Sequence, residues 1–283
     1  MSPPRESSAP MEVAGAVSGA AAADAVIRLE HVSLEFDGTP VLTDVSLAVR
    51  HGETKVLLGE SGAGKSVLMK LVLGLLRPNK GQVWVFGQEV SAMPEAKLFE
   101  LRRRIGMTFQ ESALFDSLSV RDNVAYRLEE DGRLTDEAMD ERVRTCLKFV
   151  NLDDVMDKMP AELSGGMRHR VSIARALATS PEIMLYDSPT GGLDPETATT
   201  IMDLIIKLRD NNRVTALLAT HRLQDGYLLA THAWDSNAGA ARWAPEGARH
   251  TSFLLLRQGR VLFDGTAEEL RGDPDPYVRQ FLA

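Results

Sequence analysis

The spacing of apolar residues changes character several times along the chain. Ile27 and Leu29, then Val32, Leu34 and Phe36, alternate with polar neighbours but slip once. That pattern predicts a half-buried strand from Val26 with one register change. Asp37-Gly38 supplies a turn. Val45, Leu47 and Val49 alternate again as a second strand. Val56-Leu57-Leu58 is wholly apolar, the mark of a strand buried on both faces. A helix is predicted from Val67 to Leu76, stopped by Pro78, and Val83 and Val85 mark an edge-like strand.

The middle of the chain reads as a helical subdomain over about 111–178. Met139, Val143, Leu147 and Val150 fall at helical spacing, with Asp136 and Glu137 in the first turn. Ser164 predicts the cap of a helix running to Ala178. Strand and helix then alternate. Ile183 to Tyr186 is a buried strand ending at Asp187, a helix covers about Glu196 to Arg209, and Val214 to Ala219 is a third buried strand. This alternation predicts an α/β fold, a parallel sheet wrapped by helices. Between 236 and 252, Asn237, Gly239, Pro245 and Gly247 among alanines predict a surface insertion. Phe253 to Arg257 and Arg260 to Phe263, around Gln258-Gly259, predict a hairpin. Thr266 with Glu269 forms a capping box.

Residues 1–24 are rich in Pro, Ser, Ala and Gly and predict a disordered tail, leaving 25–283 as one domain. Lys and Arg total 32 against 40 Asp and Glu, a net charge of −8. That balance argues against nucleic acid as a partner, since phosphate neutralisation needs a positive surface. Cys146 is the single cysteine, which excludes an internal disulfide framework and a cysteine-cluster metal site and fits a reducing compartment. No apolar stretch approaches the roughly 20 residues that span a bilayer.

Gly59-Glu60-Ser61-Gly62-Ala63-Gly64-Lys65-Ser66 matches the phosphate-loop pattern, between a buried strand and a helix. Glycines let backbone N–H groups curl around a phosphate, and the helix start adds its positive dipole end. Lys65 would reach the β- and γ-phosphates, and the Ser66 hydroxyl would bind Mg²⁺. Asp187, at a strand end, is a helix cap or salt-bridge partner when read alone. Beside a phosphate loop it becomes a candidate to hold Mg²⁺ through water.

Leu163-Ser164-Gly165-Gly166-Met167 resembles the signature motif of the ABC ATPases. The resemblance covers roughly Val26 to Ala283. It implies a P-loop NTPase fold, the ABC nucleotide-binding domain, with an antiparallel β flap and a helical subdomain. It implies ATP and Mg²⁺ as cofactors, with Val67 beside the phosphate loop. It implies a head-to-tail homodimer in which Ser164, Gly165 and Gly166 of one copy face the γ-phosphate held by the other. Gln110 looks like the Q-loop glutamine that senses Mg²⁺ and the γ-phosphate. Gly191-Gly192-Leu193-Asp194-Pro195 resembles the D-loop, and Asp194 also suits a turn that opens a helix at Pro195. His221 looks like the switch histidine. Phe36 occupies the A-loop position, where a ring stacks on adenine, and could equally be core.

Two segments narrow the resemblance. Gln110-Glu111-Ser112-Ala113-Leu114-Phe115 with Val124-Ala125-Tyr126, and the stretch from Asp273 to Leu282, are similar to the ATPases of Mla and MCE lipid-transport systems. This implies a peripheral subunit on the cytoplasmic face of the inner membrane. Its partners would be an integral-membrane permease docking near Gln110–Phe115, an MCE substrate-binding protein and an accessory subunit. The cargo would be phospholipid or another hydrophobic molecule. Core packing is the plain alternative for Leu114 and Phe115.

Three departures stand out. Ser188 follows Asp187 where the family usually has Glu, and serine is a poor base at neutral pH, so hydrolysis is expected to be slow. Arg222 follows His221 where an acidic residue is common and is expected to bring positive charge toward the phosphates. The insertion is the third. The rival functions are an ABC ATPase for another small substrate, such as amino acids or peptides, and an ATP-sensing regulatory cassette that does not turn over. A ribosome- or DNA-directed ABC protein would carry two cassettes or a coiled-coil arm.

Overall fold

The computed structural model describes residues 24–244 and 250–282. The tail predicted over 1–24, Asp24 apart, and residues 245–249 of the predicted insertion lie outside that set. Strands β1 (Ala25–Phe36) and β2 (Thr39–Arg50) pair antiparallel and lead into β3 (Thr54–Leu58) and helix α1 (Lys65–Val72). β4 (Lys80–Val85) and the short β5 (Gln88–Glu89) return to β1, making a sheet in the order β2-β1-β4-β5. Helix α2 (Glu95–Arg103) and β6 (Ile105–Thr108) follow, then three helices, α3 (Val120–Asp131), α4 (Asp136–Phe149) and α5 (Gly165–Leu177). β7 (Ile183–Asp187), α6 (Pro195–Asn212), β8 (Thr215–Ala219) and α7 (Leu223–Thr231) then alternate. The chain continues through β9 (His232–Asp235), β10 (Ala240–Trp243), β11 (Thr251–Arg257), β12 (Arg260–Gly265), α8 (Ala267–Gly272) and α9 (Pro276–Leu282).

The central sheet runs β12-β11-β3-β8-β7-β6, with every pair parallel except β11 and β12. Its apolar runs are divided by strand alternation. Val56, Leu58, Met184, Tyr186, Ala216 and Leu218 face a core shared with α3–α7. Leu57, Ile183, Leu185, Leu217 and Ala219 face a second core shared with α1 and the antiparallel sheet. Burial on both faces is why these strands read as unbroken apolar stretches.

Four expectations need correction. α1 ends at Val72, short of Leu76, because the chain turns at Gly74 (φ +63°), where Leu98 of α2 and Val90 pack against the bend and leave no room for a Cβ. β4 is not an edge, since β5 pairs with its far end. The predicted insertion begins inside an antiparallel hairpin, β9–β10, which packs on α6. Thr251 and Ser252 belong to β11 in the central sheet, paired with Thr54 and Lys55. The slip read in β1 is one of four in its pairing with β2; it falls between Leu29 and Val32, where His31 takes φ +50°.

Candidate functional site

β3, β6, β7 and β8 run parallel, so their carboxyl ends meet at one edge of the sheet, the usual place for a ligand in such folds. The segments leaving those ends begin at Gly59, Phe109, Ser188 and Thr220. The phosphate loop is shaped by its backbone. Gly64 has φ +104°, and a Cβ there would lie 2.6 Å from Leu42 Cδ2, so only glycine fits. Lys65 Nζ folds back and donates to the Gly59 and Glu60 carbonyls at 2.7 and 2.8 Å. Burial pushes its ammonium below the ordinary lysine range, opposed by the Asp187 carboxylate. Ser61 and Gly62 are exposed, Ala63 is buried, and Val67 packs partly into the second core.

Ser66 Oγ donates to Asp187 Oδ1 at 3.0 Å, bringing hydroxyl and carboxylate together. Among the described residues no group of three or more His, Cys, Asp or Glu could hold a metal alone. A hydroxyl and one carboxylate beside a phosphate loop fit Mg²⁺, which keeps several waters and draws other ligands from phosphate. A buried ammonium satisfied only by carbonyls likewise fits an incoming polyphosphate.

Gln110 lies beside the turn after β7. A Cβ on Gly191 would sit 3.4 Å from both Gln110 Cγ and Ser188 Cβ. Ser188 itself has φ +49°, a left-handed conformation uncommon outside glycine. Its N–H donates to Ala219 O and its carbonyl accepts from Gly191, each at 2.9 Å. His221 is exposed at the end of β8. Arg222 does not extend freely toward the phosphates. Its guanidinium donates to the Thr190 carbonyl at 3.2 Å and pairs with Asp225 at 3.9 Å.

The remaining predicted residues are apart from this edge. Ser164 caps α5 by accepting from Met167 N, and Gly166 packs against Thr197 of α6. No hydrogen bond among the described residues links Ser164–Gly166 to the phosphate loop of the same chain. Asp194 caps α6 through Thr197 N at 3.0 Å, with Pro195 opening the helix. Hydrogen bonding by the Thr197 side chain, and then by its N–H, holds the exposed Asp194 carboxyl below its usual range. Phe36 ends β1 at the tip of the hairpin whose Val41 and Leu42 abut Gly64, and its ring is 45% exposed.

The segment after Gln110 is held by side chains. Ser112 and Ala113 take φ +58° and +47°, and Arg175 of α5 donates to their carbonyls at 3.1 and 2.8 Å. Asn123 accepts from Phe115 N and donates to Phe115 O. Leu114 packs on the helical core while Phe115 is exposed, so the two do not form one exposed pair. Sequence reasoning missed Arg175, Asn123, His169 (whose Nε2 lies 2.9 Å from the Gln110 carbonyl) and the buried group Thr190, Thr220 and Asp225. Each reads locally as ordinary helix or turn chemistry, and only the fold reveals their partners.

Known proteins resemble most of this chain. The family model described as "ABC transporter" matches residues 42–191. The Intermembrane phospholipid transport system ATP-binding protein MlaF of Escherichia coli (strain K12) is 32% identical over 257 residues, 91% of this chain and 88% of that protein. The Methionine import ATP-binding protein MetN of Rhizobium meliloti (strain 1021) is 46% identical over 183 residues, 65% of this chain and 51% of that protein. Among solved structures, the dimeric post-hydrolysis state of the ATP-binding cassette MJ0796 bound to ADP and Pi aligns with TM-score 0.70 at 28% identity, over 85% of this chain and 98% of that one.

Proposed function

The chain belongs to the ABC transporter family as an ATP-hydrolysing subunit, and from that premise we propose that it drives a permease for phospholipid or a related hydrophobic molecule. The observation that carries this reading is extent. Likeness to MlaF runs over 91% of the chain, whereas the higher identity to MetN is confined to 65% of it. Extent separates the MlaF match from the MetN match; the Probable ribonucleotide transport ATP-binding protein mkl of Mycobacterium leprae (strain TN) also matches over 90% of the chain, so the cargo rests on residue patterns as well. The residue patterns at Gln110–Phe115 and Asp273–Leu282 point the same way.

Lys65, Ser66 and the backbone of Gly59–Gly64 hold the triphosphate in this reading, with Asp187 and Gln110 facing Mg²⁺ and Phe36 under the adenine. Bound Mg²⁺·ATP supplies the cleavable phosphoanhydride and a metal that neutralises its charge. Lys65 exchanges its two carbonyl partners for phosphate oxygens. Asp187 and Gln110 orient the metal side, and His221 contacts the γ-phosphate side. Ser164 and the glycine backbone of a second copy complete the site, which agrees with their separation from the phosphate loop within one chain. Ser188 places a weak base where the family usually has a carboxylate, and hydrolysis is slow for that reason. The segment Gln110–Phe115, with the exposed Phe115 ring packed beside Tyr126, forms the permease contact. The subunit is peripheral, on the cytoplasmic face; no helix of the described residues is long and apolar enough to cross a membrane.

Co-purification with its membrane partner, followed by analysis of bound lipid, tests the cargo. Phospholipid retained with the complex, and ATPase stimulated by phospholipid, is the expected result. Stimulation by an amino acid with no bound lipid would favour the second reading, an importer of the MetN kind.

A further inference from the structure

We propose that Asp225 is a positioning residue for ATP hydrolysis, which ties the loop bearing His221 to the turn bearing Ser188. The proposal rests on the reading of His221 given above. Asp225 is 1% exposed. Its Oδ2 accepts from Thr190 Oγ1 at 2.6 Å and from Thr220 Oγ1 at 2.7 Å, and Arg222 pairs with its Oδ1 at 3.9 Å. Thr190 stands two residues after Ser188, and Thr220 immediately precedes His221. One carboxyl group thus joins two loops that leave different strands.

The side chain does not serve its own helix. An acidic residue in a first turn usually faces the free N–H groups there. Here both oxygens turn outward, to Thr190 and Thr220 on one side and Arg222 on the other. Burying a carboxyl is strongly unfavourable unless its partners are complete. An apolar residue would pack α7 without that cost, so what the carboxyl adds is the connection. His221 makes no hydrogen bond of its own among the described residues. Its flanking residues do. Thr220 Oγ1 accepts from Arg222 N at 3.0 Å, and the Arg222 guanidinium holds the Thr190 carbonyl. Both neighbours of His221 therefore lead to Asp225, and through it to the turn of Ser188. Arg222, unusual after a switch histidine, is explained by the same network, which matches its charge locally.

Single-turnover phosphate release and ATP affinity should be measured on the full chain for Asp225→Leu, Thr190→Val, His221→Ala and the double variant Asp225→Leu/His221→Ala. Leucine fills the space and offers no acceptor to either threonine, whereas the amide oxygen of asparagine would still accept from both. A misplacement of about 1 Å can cost up to about 100-fold in rate. We expect ATP affinity to stay within about twofold while Asp225→Leu slows release about tenfold. Thr190→Val keeps the shape and removes one donor, and should slow it several-fold even if Asp225→Leu fails to fold. The double variant should be no slower than His221→Ala alone, because both act at one point. Unaltered release in Thr190→Val or in a folded Asp225→Leu overturns the proposal. So do losses that multiply in the double variant, the mark of an independent structural defect. His221→Ala as fast as the native chain would instead overturn the reading of His221, and the proposal with it.

Discussion

The loops after β3 and β7 leave the same edge of one sheet, separated only by β8, yet they are held in opposite ways. The phosphate loop is a backbone structure. Its glycines, its carbonyls and the start of α1 set its shape; side chains from elsewhere meet it, Leu42 at Gly64, Asp187 at Ser66 and Tyr277 at the Glu60 carboxylate. The turn after β7 adds side-chain ties from other elements to the backbone bonds at Ser188. Ser188 sits at φ +49°, Gln110 leans on Gly191, and Thr190 hangs from Asp225 across to the next strand. A backbone-built site tolerates exchange at its variable positions and depends on glycines. A side-chain-built site can change its chemistry at one residue while distant partners keep its geometry.

Changes to either loop break or sharpen that contrast. Lys65→Ala removes the one buried cation from the backbone-built loop. It should weaken ATP binding by about 100-fold or more, since phosphate contacts to a charged donor are the strong ones. Labelled ATP bound with native affinity would contradict the assignment. Phe115→Asp tests a segment held by Arg175 and Asn123. Burying one Phe at an interface is worth about 1.5–3 kcal/mol, so retention on membranes carrying the permease should fall about 10–100-fold with the melting temperature unchanged. Loss of folding instead would return Phe115 to the core.

Ser188→Glu places a carboxylate in the side-chain-built turn, where the hydrogen bonds of residue 188 are made by its backbone. Phosphate release should rise about tenfold or more if a base is missing, because positioned base catalysis is worth about 10²–10⁴-fold. Equal rates, with the native chain at an ordinary transporter pace, would locate the base elsewhere. Glu182→Gln, remote from both loops, sets the scale of an ordinary surface contact. The hydrogen bond from Arg104 holds the Glu182 carboxyl below its usual range. Its folded pKa is depressed, so its stabilisation is present above the ordinary Glu range and fades as pH falls through the folded value. The pair is nearly half exposed and screened by salt, so the loss at neutral pH should stay below about 1 kcal/mol, or about 2–4 °C. A melting series from pH 7 to pH 3 should show the variant and native curves converging. A difference that grows toward acid would reverse the assignment.

The same contrast decides what could be read from the amino acids. Phosphate loop, signature helix and D-loop cap are contiguous motifs whose geometry follows from local spacing, and the central strands announced themselves as apolar runs. No sequence pattern singles out Asp225 or Thr190, and the helix that carries Asp225 (Leu223–Thr231) is not predicted at all. Their meaning arises from contacts between residues 190 and 225, which no local pattern encodes. Helix α1 was overextended for a related reason. Val67 to Leu76 is apolar apart from Lys70, but the bend at Gly74 is dictated by Leu98 and Val90, both beyond the helix.

The strand order has a consequence for synthesis. β3, which launches the phosphate loop, is completed on one side by β8 and on the other by β11, with Val56 paired to Phe253. Roughly 200 residues separate those partners. At about 5–20 residues per second, translation needs about 10–40 s to deliver the second neighbour after the first strand has emerged. Throughout that interval β3 has an unpaired edge and an apolar face, the features that invite misassembly. The nucleotide loop is thus among the first functional segments made and among the last to become structurally complete, so a nascent chain cannot acquire a finished ATP site until the strand at Thr251–Arg257 has joined the sheet.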